Sequence, residues 1–203
     1  MSDRSLLLLG VAAMAAVVVA SNVLVQVLLG DWLTWGALTY PVAFLVTDLS
    51  NRLLGPAAAR RVVLAGFAVG VACSLAAAGL GATTLRIAFG SGLAFLAAQL
   101  LDVAVFDRLR GGRWWRAPLV SSLIGSALDT ALFFSIAFSA ALSGLLPGDV
   151  AWANDPVPLL GLGPVAPLWV SLAVADFAVK LALALLALAP FRAAATALSA
   201  RSA

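Results

Sequence analysis

Asp129 lies in the middle of an apolar run with no Lys or Arg within one helical turn of it. Its partner must therefore come from another part of the chain, from a ligand, or from a proton. On an ideal helix Ser122, Ser126, Asp129 and Phe133 fall in one narrow stripe, at spacings of four, three and four. Three other polar groups sit in apolar surroundings with the same helical spacing. Gln99 and Asp102 share a face at i, i+3; Asp48, Asn51 and Arg52 share another at i, i+3 and i+4; Asp176 and Lys180 are an i, i+4 pair. A lone charge at the centre of a membrane helix costs about 2.5–3.5 kcal/mol on insertion scales, so such residues persist where they face a protein-lined or wet cavity. The pattern points to a transport or binding site, with Asp48–Arg52 and Asp176–Lys180 as charge pairs. The serines add little alone, because serine commonly bonds its own helix backbone.

Catalytic chemistry finds little support. There is no His, the only cysteine is Cys73, all nine acids are Asp, and Lys180 is the one lysine. This removes the usual zinc and Cys–His arrangements and any intrachain disulfide. Gly90-Ser91-Gly92 faintly resembles an intramembrane serine-protease motif, but lacks a histidine base. Pro147-Gly148-Asp149 falls in a loop, where a paired-aspartate protease would need it in a span. No phosphate-binding glycine motif is present. The expectation is a protein that is not an enzyme and uses no cofactor or metal.

The elements that carry these residues are membrane helices. Of 203 residues 64% are hydrophobic and 10% charged, too little polar surface for a soluble domain of this length. Apolar runs long enough to cross a bilayer cover residues 6–29, 33–54, 62–80, 86–106, 118–144 and 168–190. The first run is too long for a signal peptide, and its Ala12, Ala16 and Ala20 form a small-residue ridge suited to close packing. Gly55-Pro56 ends the second span and Pro190 the last. Residues 145–167, rich in Pro and Gly, form the one long connection, either a lid or a tether on the membrane surface. Arg4, Arg52, Arg60, Arg61, the four arginines of the Arg108–Arg116 loop, Arg192 and Arg201 all fall on one side of a six-span layout, and of the basic residues only Arg86 falls on the other. By the positive-inside rule the basic side is cytoplasmic. The fold expected is therefore all-α, a single polytopic domain of six transmembrane helices with both termini cytoplasmic. The net charge of +3 sits in short loops beside apolar runs, which argues for a lipid bilayer and against nucleic acid.

Several stretches resemble the queuosine precursor transporters, within the vitamin uptake transporter group. Phe44-Leu45-Val46-Thr47-Asp48-Leu49 with Arg52, then Gly55 and Ala59-Arg60-Arg61, is similar to their second span. Gln99-Leu100-Leu101-Asp102-Val103, with Val105-Phe106, Arg108-Leu109-Arg110 and Trp114-Trp115, is similar to the fourth span and its basic loop. Ser121-Ser122, Asp129-Thr130 and Ile136-Ala137-Phe138 resemble the fifth span, and Asp176-Phe177 with Lys180 the last. The likeness covers about residues 35–190 in order.

The resemblance implies a bacterial inner-membrane importer of 7-cyano-7-deazaguanine or 7-aminomethyl-7-deazaguanine, precursors of the tRNA nucleoside queuosine. On that reading Asp129, Asp102 and Gln99 meet the base near mid-membrane, with Ser122 and Asn51 in support. A carboxylate can accept two hydrogen bonds from the N1–H and 2-amino edge of a guanine-like base. Phe133, Phe134, Phe44 or Tyr40 would stack on the ring. Asp48–Arg52 and Asp176–Lys180 would rearrange during alternating access. The reading leaves room for a homo-oligomer. The alternative is a substrate-binding membrane subunit of an energy-coupling vitamin transporter, docked on a separate ATPase module.

Overall fold

A computed structural model describes residues 2–144, 146, 148 and 150–202, with side chains described as far as Leu198. Pro147, Asp149 and the Arg201 side chain lie outside the described residues. The chain is an α-helical bundle. Its long elements are α1 (Asp3–Leu24), α3 (Val42–Leu54), α4 (Pro56–Gly79), α5 (Leu85–Leu109), α6 (Arg116–Phe138), α7 (Leu168–Leu186) and α8 (Leu188–Ser202), and α2 is the single turn Gly36–Thr39. Five of these, α1, α4, α5, α6 and α7, are long and apolar enough to cross a membrane. Leucines and other apolar side chains such as Leu64, Leu75, Phe89, Ile124 and Leu185 cover their outer faces. Lipid tails are as apolar as these side chains, so the exposure carries no penalty in a bilayer.

Local chemistry sets the helix ends. The Ser2 side chain caps α1 by accepting from the Ser5 amide, and Thr84 caps α5 by accepting from the Ile87 amide. Gly55, at φ +84°, closes α3, and Pro56 opens α4 where no donor is needed.

α4 begins at Pro56, before the expected 62, and four other spans depart from their expected ranges. The first leaves the helix at Leu24, and the chain turns through β1 (Leu28–Leu29) and β2 (Leu33–Thr34), with Gly30 at φ +69° in the turn. The second is broken between α2 and α3. Pro41 has no amide donor to offer the Ala37 carbonyl, and just after it the Ala43 and Phe44 amides bond only three residues back, to the Tyr40 and Pro41 carbonyls. The fifth ends at Phe138, short of 144, and the last at Leu186, short of 190. Pro190 does not terminate that helix; it sits in the first turn of α8, where proline is tolerated.

Two other expectations change. Ala12, Ala16 and Ala20 do not form the packing face of α1. The contact runs through Met14 and Val18, which press against Gly66 and Gly70, so the small residues belong to α4. The long connection is not a bare tether. It holds 3-10 turns at Ala140–Leu142, Ala151–Asn154 and Leu159–Gly161, and a hairpin of β3 (Pro156–Pro158) and β4 (Val165–Pro167). The Asn154 amide donates to the Phe138 and Val150 carbonyls at 2.8 Å each, pinning the segment to the end of α6.

One apolar cluster joins α1, α3, α4 and α5 around Met14, Val18, Ala43, Val63, Phe95 and Val103. Another ties the connection to α6 through Phe134, Phe138 and Ala153. A third joins α5, α6 and α8 through Phe106, Ala117 and Phe191. Arg86, the one basic residue on its side in the six-span layout, is 2% exposed. Its guanidinium donates to the Ile136 carbonyl at 2.8 Å and the Ser139 carbonyl at 2.5 Å, completing the C-terminal end of α6. It is thus spent on backbone rather than displayed on the surface.

A tight helix contact meets at Gly125 on α6. A Cβ there would lie 2.6 Å from Phe44 Cε1 and 3.3 Å from the Ala98 carbonyl oxygen. Gly125→Ala is expected to destabilise by roughly 1–3 kcal/mol, the usual range for overpacking. Gly92→Ala, whose nearest neighbour would be 3.5 Å away, is expected to be neutral. Thermal unfolding of the detergent-solubilised protein compares the two.

Candidate functional site

α2, α5, α6 and α7, the C-terminal end of α1, the β1–β2 turn and the long connection surround a chamber of about 560 Å³. Asp31, Trp32, Ala82, Thr83 and Trp152, exposed or half-buried residues of connections that carry no arginine, line one end of it. Its wall is aromatic. Phe133 meets Phe134 and Phe138 edge to face at 5.0 and 5.7 Å, and Phe138 meets Trp152 the same way at 5.5 Å. The Pro41 break brings Tyr40 into this wall, across from Ser91 and the two carboxylates of the floor.

The floor is an ion-paired cluster. Lys180 Nζ donates to Asp129 Oδ2 at 2.7 Å, to Asp176 Oδ2 at 2.5 Å and to Thr130 Oγ1 at 3.0 Å. Thr130 Oγ1 in turn donates to Asp176 Oδ2 at 2.8 Å. All three ammonium donors are used. Asp129 thus finds its cation on another helix, and the i, i+4 pair Asp176–Lys180 forms as its spacing suggests. Two carboxylates face one ammonium, so the cluster holds an excess of one negative charge when all are ionised. Lys180 is 3% exposed; buried charges of this kind are stable only when paired and hydrogen-bonded.

Below the floor, toward the basic loops, lies a second polar layer. Asp48 on α3 accepts from Ser121 Oγ at 3.1 Å and Ser122 Oγ at 3.2 Å on α6. Thr47 Oγ1 donates to Gln99 Oε1 at 2.5 Å, and Asn51 Nδ2 to the Val103 carbonyl at 2.9 Å. Asp102 lies beside Asp48 and Ser121. It is fully buried, and among the described residues neither of its carboxyl oxygens has a hydrogen-bond partner. Gln99 Nε2 and Asn51 Oδ1 are also unpartnered. A crevice of about 20 Å³, roughly room for one water, is lined by Asp48, Ser122, Ser126, Lys180, Phe44 and Phe191 among others. Lys180 borders both the chamber and the crevice, so it forms the partition between them.

The candidate residues thus divide into two levels. Asp129, Phe133, Asp176 and Lys180 meet in the chamber. Asp102, Gln99, Asn51 and Ser122 meet below it and do not line it. The expected Asp48–Arg52 pair does not form. Asp48 turns inward to the α6 serines, whereas Arg52 is exposed and donates to the Arg110 carbonyl at 3.2 Å. One helical turn separates Asp48 on the buried face from Arg52 at the loop end, and the nearer partner wins on each side. Thr130 and Trp152 carry no role in the sequence reading. The lone Trp152 in a Pro/Gly-rich stretch was an available signal; the Thr130 link to α7 had none.

Long apolar helices that enclose a deep aromatic chamber over a charged floor describe a polytopic membrane protein of the solute-carrier kind. Residues 34–195 match the family described as "Putative vitamin uptake transporter", and the chain belongs to that family, as its resemblances implied. It is 39% identical over 128 residues to the queuosine precursor transporter of Escherichia coli (strain K12), covering 54% of this chain and 58% of that protein. It is 37% identical over 108 residues to the probable queuosine precursor transporter of Haemophilus influenzae, covering 45% of this chain and 46% of that protein. The chain thus spans about half the length of the curated relatives it matches. No solved structure matches it.

Removing Lys180 would leave two buried carboxylates without a cation. Lys180→Met is expected to destabilise by about 3–5 kcal/mol, the range for breaking a buried pair. Asp176→Asn, at a side chain 14% exposed, is expected to lose less. Thermal unfolding of solubilised single and double variants measures both effects and their coupling.

Proposed function

We propose that this chain is a six-crossing importer of 7-deazaguanine precursors of queuosine, set in a bacterial inner membrane and captured with its chamber open to the outside. The observation that carries the reading is the blind aromatic chamber ending on Asp129, Asp176 and Lys180.

Volume and chemistry agree with such a cargo. Small-molecule sites run about 300–1,000 Å³, mostly apolar with a few placed polar groups. The deazaguanine ring would lie between Phe133 and Tyr40. Asp129 would accept from the N1–H and 2-amino edge, a charge-assisted bidentate contact. Asp176 would hold the ammonium of the aminomethyl compound, which cancels the excess negative charge of the floor. Lys180 would then give up part of its contact with the acids as substrate takes its place.

The sixth crossing is the second in chain order, made of β2, α2 and α3 together. α3 alone, at about 1.5 Å per residue, is too short for a ~30 Å hydrocarbon core. Consecutive crossings alternate in direction, which gathers Arg52, Arg60, Arg61, Arg110 and Arg192 at one end. Two contacts fit that grouping: Arg52 reaches the Arg110 carbonyl, and Arg192 stacks on Trp114 at 4.9 Å. This end would be cytoplasmic, with both chain ends there. The layer of Asp48, Asp102, Gln99 and Asn51 would then be the closed inner gate.

Uptake of labelled precursor into cells unable to synthesise it tests the reading. Asp129→Asn keeps the shape and removes the charge. It is expected to weaken precursor binding about 10- to 100-fold, the worth of a charge-assisted hydrogen bond of about 1.5–3 kcal/mol. Wild-type binding by Asp129→Asn, or wild-type protein that binds guanine, riboflavin and biotin as well as the deazaguanines, would overturn it.

A further inference from the structure

The chamber and its floor account for substrate. They leave unexplained the second polar layer, where Asp48 is 2% exposed and Asp102 is fully buried, side by side. Among the described residues no Lys or Arg nitrogen forms a salt bridge with either carboxylate. Arg52 and Arg110 are the basic groups of the neighbouring loops, and they turn to the Arg110 and Asn51 carbonyls. Lys180, across the crevice from Asp48, has spent its donors on Asp129, Asp176 and Thr130. From α6 come only the Ser121 and Ser122 hydroxyls, and α8 contributes the apolar Phe191.

Two adjoining carboxylates in so dry a place cannot both be ionised, because each loses its hydration and repels the other. Ser121 and Ser122 give hydrogen bonds to Asp48 but bring no charge. Among the described residues neither oxygen of Asp102 meets a donor at hydrogen-bond geometry, so a proton held between the two acids would give one of them a donor and the other an acceptor. We infer that Asp48 and Asp102 share one proton, and that this proton is the coupling ion of transport. The inference rests on the transport reading above.

The placement gives the proton a mechanical consequence. Asp48 is on α3, Asp102 on α5, and the serines are on α6, so the protonated pair ties three helices together at the inner gate. Loss of the proton leaves like charges facing across that joint and drives the helices apart. The crevice beside Asp48 ends on Lys180, and Ser122, Ser126 and Asp129 form a polar stripe along α6 from the pair to the chamber floor. Substrate arriving at the floor loosens Lys180, the partition between the two levels. The gate opens as the proton leaves to the cytoplasmic side, one proton for each substrate carried.

Proteoliposomes containing a pH-sensitive dye test this with 7-cyano-7-deazaguanine, a neutral nitrile that brings no ammonium of its own. Wild-type protein is expected to acidify the lumen as labelled substrate enters, and an inward proton gradient is expected to raise accumulation at least tenfold. Asp102→Asn, which holds the neutral shape permanently, is expected to lose both effects and the exchange of labelled for unlabelled substrate, while the chamber still binds 7-cyano-7-deazaguanine. Wild-type influx without acidification overturns the inference and leaves the transport reading standing. Absence of any influx removes the transport reading itself. Gradient-driven accumulation by Asp102→Asn also overturns the inference. The wild-type dye measurement decides the matter even where the variant fails to insert.

Discussion

Charge buried in a medium that cannot solvate it must be answered from within the protein, and the arrangement of this bundle follows from that constraint. Lys180 is the only ammonium side chain in the sequence, and three acceptors converge on it from two helices. Neither the ammonium nor either carboxylate would be stable alone at that depth. The cluster therefore sets how α6 and α7 face each other, and it leaves an acidic floor at the bottom of a cavity that is otherwise apolar. Arg86 follows the same logic at the chamber end, where its charge is absorbed by the last carbonyls of α6.

Close packing supplies the frame for these contacts. Gly125 lets α6 approach Phe44 and the α5 backbone, which brings Ser121 and Ser122 to Asp48. Met14 and Val18 set into Gly66 and Gly70 hold α1 against α4. The break at Pro41 has a structural cost in lost helical hydrogen bonds, and its return is position: Tyr40 turns to the chamber while Phe44 and Asp48 serve the level beneath. Both polar levels thus depend on one irregular helical segment. Irregular backbone at membrane depth is tolerated where it is buried in protein or lines a cavity, as it does here.

Much of this was legible along the chain. The apolar runs, the basic loops between alternate runs, and the inward stripe of Ser122, Ser126, Asp129 and Phe133 are properties of neighbouring residues on a helical period. So is the Asp176–Lys180 pair, since spacing of four residues makes it almost unavoidable. The likeness to the vitamin uptake group was readable for the same reason, because its motifs are short and lie within single spans. Where helices stop was less readable. Pro190 looked like a terminator because proline interrupts a helix interior, yet proline at a first turn starts one, and hydropathy does not distinguish the two cases.

What the amino-acid order determined by itself is an all-helical membrane chain with its arginines gathered in alternate loops and acids embedded in its spans. Hydropathy and a 3.6-residue period suffice for that, and both are local. The tertiary structure decided which acid meets which cation. Asp129 reaches Lys180 across 51 positions, Asp48 takes serines 73 and 74 positions away in place of Arg52 one turn along, and Asp102 is set beside Asp48 with no cation on it among the described residues. Those choices turn on distances of an ångström or two between helices, set by glycines, a proline and aromatic rings on other segments, and no local pattern encodes them.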